Sequence, residues 1–135
     1  MSRFVAIGLG CRSGVKGEAV AALARRALAE LRAPDGERRL FTLAAKADEP
    51  GLLEAAYLMG ATLTPLPLGA LKAEAERILT PSTPAQSRFG TPNVAEAAAL
   101  AGAGEGGRLL GPRFAADGAT CAIALSGTWS SGARP

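Results

Sequence analysis

Apolar and polar positions along this chain change period several times, and each change marks an element. Phe4-Val5-Ala6-Ile7 is a short unbroken apolar run bounded by Gly8 and Gly10, which predicts a buried strand. From about Gly17 to Leu31, Val20, Leu23, Ala24, Ala27, Leu28 and Leu31 recur at helical spacing, with Glu18, Arg25, Arg26 and Arg32 on the other side. Such a helix covers one face of a sheet, and the breakers Ala33-Pro34-Asp35-Gly36 end it. Arg39 to Ala44 predicts a second strand. Pro50 then opens a helix with an apolar face of Leu52, Leu53, Ala56, Tyr57 and Met59, and Gly60 suits its C-terminal cap. Thr62 to Leu66 predicts a third strand, assigned to an edge because Pro65 has no N–H to donate. Leu68 to Leu79 follows as a helix with Glu74 and Glu76 toward water.

Thr80-Pro81-Ser82-Thr83-Pro84 is a loop. A short helix to Phe89 follows it, then another from Asn93, as N-cap, to Ala101. Gly102 to Gly107 is a flexible turn. Arg108 to Leu110 and Ala119 to Leu125 are expected to pair as an antiparallel hairpin about the turn signal Asp117-Gly118. Strand–helix–strand units early in the chain imply parallel strands, and the closing hairpin adds an antiparallel one. The expected fold is therefore α/β, a three-layer α/β/α sandwich with a mixed sheet of about five strands. Residues 1–125 are expected to form one domain. Residues 126–135, rich in Ser and Gly, are expected to be a flexible tail, with a docked Trp129 as the alternative.

Composition narrows the chemistry. A chain of 135 residues is one domain in size, and at that length roughly two thirds of the unfolded surface can be buried without metal or disulfide staples. Aromatics make up only 4%, which leaves little surface for stacking on bases, so no nucleic-acid partner is expected. No apolar run approaches the ~18 residues of a membrane span, so no membrane partner is expected either. The start superficially suggests a lipoprotein signal, but its apolar run is short and Gly8 stands where leucine is expected before Cys11. Two cysteines, Cys11 and Cys121, are too few for a disulfide scaffold, and the expectation is a reduced, cytoplasmic protein.

Net charge is only +3, but the absence of histidine matters more. It removes His-dependent triads, the usual neutral-pH base and the commonest metal ligand. Two distant cysteines without histidine make a poor zinc site, so neither metal nor cofactor is expected. The remaining candidates are Cys, carboxylates, Lys, Arg and hydroxyls.

Four segments carry them. Gly8-Leu9-Gly10-Cys11-Arg12-Ser13-Gly14 lies between a strand and a helix, where converging backbone N–H groups bind anions or where glycines merely make a tight turn. It lacks the Walker A ending, and Gly10 and Gly14 are one residue too far apart for a dinucleotide fingerprint. Cys11, beside Arg12 and a helix start, is expected to have a lowered pKa, although no base accompanies it. Cys121, in an apolar strand, is expected to be packing. Lys46-Ala47-Asp48-Glu49-Pro50 follows the second strand. It is read either as part of a ligand site at the strands' carboxyl ends or as helix capping by Asp48 or Glu49 with Lys46 solvated. Thr80 and Ser82 supply hydroxyls, and Arg113 supplies a cation.

Taken together these segments resemble the family of CobE and the C-terminal domain of CbiG. The Gly8–Gly14 loop is similar to its opening motif, and Lys46-Ala47-Asp48-Glu49-Pro50-Gly51-Leu52 to its second. Thr80-Pro81-Ser82 followed by Val94-Ala95-Glu96-Ala97-Ala98-Ala99-Leu100 resembles the third block, and Leu109 to Ile123, through Ala119-Thr120-Cys121-Ala122-Ile123-Ala124, the closing hairpin. The likeness runs from about residue 4 to 125. Pro112-Arg113 stands where the family often has Pro-Lys, which keeps the charge but not a deprotonatable amine.

The resemblance implies a domain of the cobalamin pathway. CbiG opens a lactone on cobalt-precorrin-5A and releases acetaldehyde, whereas the stand-alone CobE belongs to the oxygen-dependent route. Precorrins are polycarboxylates on a large apolar ring, which Arg12, Lys46 and Arg113 beside small apolar side chains suit. The expectation is a binding or carrier protein for a precorrin or corrin intermediate, with Gly10, Cys11, Arg12, Ser13, Gly14, Lys46, Glu49, Thr80, Ser82 and Arg113 at the site. A hydrolase using Glu49 or Asp48 to activate water is the alternative, and a docking domain for other pathway enzymes is a third.

Overall fold

Strand β1, Phe4–Cys11, has apolar residues on both faces, the pattern of a strand covered from both sides. The computed structural model, which describes residues 3–80 and 93–132, bears this out. Val5, Ile7 and Leu9 point into a core shared with α1 (Gly17–Glu30) and α2 (Pro50–Met59). Phe4 and Ala6 point the other way, into a core shared with α3 (Leu68–Lys72) and α4 (Val94–Ala103). The result is an α/β/α sandwich about one mixed sheet.

Among the described residues six strands make that sheet: β1, β2 (Glu37–Leu43), β3 (Thr62–Leu66), β4 (Arg108–Leu109), β5 (Phe114–Ala116) and β6 (Ala119–Leu125). Their order is β3-β2-β1-β6-β4, with β5 also on β6. β1, β2 and β3 are parallel, while β6 runs antiparallel to β1 from Val5↔Leu125 to Cys11↔Ala119. β3 is an edge, as Pro65 required.

Local signals set several boundaries. Pro50 opens α2, and Gly60 closes it at φ 61° while Ala61 N–H donates to Ala56 O and Gly60 N–H to Tyr57 O, a Schellman end. The Asn93 side chain caps α4 by accepting the Glu96 N–H at 2.9 Å. α1 has no capping side chain of its own; Glu54 of α2 accepts the Gly17 N–H at 3.0 Å instead.

Four expectations need correction. β1 does not stop before Gly8: Gly8 and Gly10 are buried strand residues paired with Ala122 and Thr120. The helix expected over Leu68 to Leu79 ends at Lys72, giving way to a 3-10 turn, Ala75–Arg77. Only Leu71 of α3 is buried, and Arg77 is drawn aside by Glu74 and by the Gly107 carbonyl, to which its Nη1 donates at 2.6 Å. The same ion pair leaves Glu74 only 19% exposed rather than fully in water. Arg108–Leu109 does pair antiparallel with β6, as expected, but the turn Asp117-Gly118, at φ 52° and 82°, joins β6 to β5, which lies between them in the chain.

The last correction concerns the tail. Ser126 is buried, Gly127–Gly132 forms a helix (α5), and Trp129 Nε1–H donates to the Phe4 carbonyl at 2.8 Å. The docked Trp129 is what is observed. The short helix expected up to Phe89 lies outside the described residues.

Candidate ligand-binding site at the carboxyl ends of the strands

β1 and β2 end side by side at Cys11 and Leu43, and both pass into helix-entry loops on the same side of the sheet. Thr42, fully buried, ties these ends together by donating its hydroxyl to the Leu9 carbonyl at 2.9 Å. Only Arg12 to Lys16 remain as a loop, and three contacts hold it. Gly14 N–H donates to Glu49 Oε2 at 3.0 Å, and Val15 O packs so closely on Gly51 that a Cβ there would lie 2.2 Å away. Glycine at residue 51 therefore lets the loop rest on the first turn of α2. Arg12 N–H donates to Gly118 O at 2.9 Å, which brings the β5–β6 turn to the same end.

Most of the expected site residues meet here. Cys11 is half-buried, and the charges acting on its thiol are Lys46 and Glu49. Arg12, Ser13, Gly14 and Asp48 are exposed, while Lys46 and Glu49 are half-buried. Gly10 sits at the rim but its backbone belongs to the ladder; what it provides is room, since a Cβ would stand 2.7 Å from Thr120 Oγ1 and 3.6 Å from Val94 Cγ1. The expectation of an acidified Cys11 is reversed. Burial pushes its thiol above the ordinary value; Lys46 opposes this and Glu49 adds to it. Cys121 is pushed up to about 12 by burial, as inert packing requires.

Thr80 and Arg113 form a second group on the α4 side. Val94 beside Gly10 starts α4 at this end of the sheet. Asn93 Nδ2–H donates to Thr80 O at 2.8 Å, and the Glu96 carboxylate accepts N–H bonds from Leu79, Thr80 and Arg113. Ser82 lies outside the described residues.

Glu96 and Thr42 were missed as organisers of the site. A signal for Glu96 exists: it is the sole charged residue in an otherwise apolar helix, VAEAAALAGA. Thr42 had none, because its partner is a strand away. Among the described residues, Arg12, Lys46 and Arg113 are in no salt bridge. No group of three or more potential metal ligands occurs among those residues, and no helix is long and apolar enough to cross a membrane.

The ends of β1 and β2 thus carry the exposed Arg12 and the half-buried Lys46 beside the backbone of Gly14, while Glu96 holds Thr80 and Arg113 on the α4 side. The model of the family described as cobalamin synthesis G C-terminus matches residues 5–124. Protein CobE from Sinorhizobium sp. is 39% identical over 119 residues, covering 87% of this chain and 77% of its own. The crystal structure of CobE, a protein from the cobalamin (vitamin B12) biosynthetic pathway, superposes with a TM-score of 0.82 at 36% identity, over 93% of this chain and 92% of that one. Cobalamin biosynthesis protein ChiG from Agrobacterium tumefaciens gives 0.67 at 34% identity, over 89% and 96%. The chain belongs to the family of CobE and the C-terminal domain of CbiG, a family of cobalamin biosynthesis.

Proposed function

We propose that this chain binds a polycarboxylate precorrin at the carboxyl end of its sheet and carries it between pathway enzymes without transforming it. What supports this reading is that Arg12 and Lys46 flank the ends of β1 and β2, and that these two and Arg113 are in no salt bridge among the described residues. Cations left unpaired beside exposed backbone suit ligand carboxylates. The groups a hydrolase would need are otherwise engaged or exposed. Glu49 already accepts the Gly14 N–H, Asp48 faces water, and burial pushes the Cys11 thiol above its ordinary value.

Titration of the purified protein with successive precorrins, followed by absorbance and product analysis, tests this. A saturating spectral shift with the intermediate recovered unchanged is expected. Because Arg12 is exposed, Arg12→Ala should cost under about 1 kcal/mol and flatten the salt dependence. Unchanged affinity in a folded Arg12→Ala, Lys46→Ala double variant would defeat the binding mode. Glu49→Gln should keep binding within about tenfold, ~1.4 kcal/mol. Acetaldehyde released from a lactone-containing intermediate by wild type, and not by Glu49→Gln, would replace carrier with hydrolase.

A further inference from the structure

α4 is apolar all round except at Glu96, and Glu96 is fully buried. A carboxylate in such surroundings is costly unless its lone pairs are filled. They are filled from outside its own helix. Oε1 accepts the N–H of Leu79 at 2.7 Å and of Thr80 at 3.0 Å; Oε2 accepts that of Arg113 at 2.8 Å. Capping does not explain this, because Asn93 already caps α4. Nor does ion pairing, since Glu96 is in no salt bridge among the described residues. Its place in the first turn of α4 favours negative charge through the helix dipole. One buried carboxylate thus joins two segments far apart in sequence, each bearing a residue of the candidate site.

We propose that Glu96 is a positioning residue for the polycarboxylate ligand, acting through the backbone of Thr80 and Arg113. By fixing those N–H groups it holds the backbone from which the Thr80 hydroxyl and the Arg113 guanidinium project. Enclosed as it is, it does not touch the ligand itself. The proposal rests on the binding reading above.

Glu96→Gln keeps the shape but exchanges one acceptor oxygen for a donor. The amide loses least by keeping its oxygen on Leu79 and Thr80, which frees Arg113. The probe is uroporphyrin, a stable octacarboxylate tetrapyrrole, titrated by absorbance into wild type, Glu96→Gln, Arg113→Ala and the double variant. Glu96→Gln should weaken binding by about two- to fivefold, and the double variant should bind no more weakly than Arg113→Ala alone. Hydrogen exchange at the Arg113 amide should quicken while β1 stays protected. Losses that multiply in the double variant, or wild-type affinity in Glu96→Gln, would overturn the proposal and leave the binding reading standing. Failure of wild type to bind uroporphyrin would remove both. Should Glu96→Gln not fold, Glu96→Asp, shorter by one methylene, takes its place in the same cycle. Unfolding of both variants would assign Glu96 to stability alone and end the proposal.

Discussion

Gly8→Ala should be among the most damaging single-methyl additions to this fold. A Cβ at Gly8 would stand 2.0 Å from Ala95 O and 2.5 Å from Ala99 N, both backbone atoms of α4. A carbon–oxygen contact is ordinarily about 3.3 to 3.6 Å, so α4 would have to retreat by roughly 1.3 to 1.6 Å. A gap even of 0.5 to 1 Å forfeits about a quarter to a half of the dispersion attraction it opens. α4 is buried along most of its length, against Ala6, Ala122 and Ala124 of the sheet, so nearly every contact it makes is exposed to that loss. Overpacking typically costs about 1 to 3 kcal/mol. With no flexible side chain able to yield, the expected cost is at the upper end, about 3 kcal/mol or more, roughly a 12 °C fall in Tm for a domain of this size. Gly69→Ala is the control, since nothing lies within 4 Å of its Cβ position, and it should be neutral or slightly stabilising. Urea unfolding followed by circular dichroism measures both. A Gly8→Ala variant within about 1 kcal/mol of wild type, with α4 amides as protected as before, would refute the close-approach argument.

Cys121 should make the fold alkali-sensitive. The unfolded thiol ionises near its ordinary value of 9.0 and the folded one near 12, so its contribution is intact below the first and lost as pH rises toward the second. The slope is about 1.4 kcal/mol per pH unit across that window; Cys121→Ala should abolish this component of the alkaline loss, and an identical pH profile in the two proteins would contradict the burial argument. At Cys11 the sign is the same, so alkylation should accelerate only above the ordinary thiol range, and Lys46→Ala should move the profile higher still; a rate already at its plateau at neutral pH would count against it. Trp129→Ala should cost about 1 to 3 kcal/mol through lost packing and a lost bond to Phe4 O. Urea unfolding unchanged in that variant would mean that the C-terminal helix is dispensable.

What the sequence revealed was whatever is signalled locally. Pro50 and Gly60 bracket α2, Asn93 caps α4, and the apolar stripe of α1 is periodic, so each was legible from a few neighbouring residues. The errors share a different cause. Gly8 and Gly10 have the composition of a turn, yet they stay in β1 because the backbone of α4 and the Thr120 side chain need the space. Nothing near Phe4 announces that its carbonyl will receive Trp129, 125 positions later. The helix over Leu68 to Leu79 had adequate local propensity, but only Leu71 of α3 is buried and Arg77 is drawn aside by Glu74 and the distant Gly107 carbonyl. The candidate site was partly legible because strand ends in parallel sheets gather ligands. That rule located Cys11, Lys46 and Glu49 together, but it is silent on thiol burial and could not find Glu96.

The segment Gly8 to Gly14 divides its labour. Gly8 and Gly10 admit α4, Leu9 and Cys11 fill the opposite core, and only Arg12, Ser13 and Gly14 are left exposed. Both flanks of the site are thereby referenced to one strand. On one side Gly14 is tied to Glu49 and the loop rests on Gly51; on the other α4, seated on Gly8, holds Thr80 and Arg113 through Glu96. A frame fixed in this way spares a ligand most of the ordering cost of binding. Individual ion pairs at an exposed rim contribute only about 0 to 1 kcal/mol each. Several acting on one polycarboxylate add to useful affinity, yet each breaks readily and all weaken with salt. The proposed carrier would have to release its cargo as well as capture it, and several weak, salt-sensitive charge contacts would suit that requirement better than one strong one.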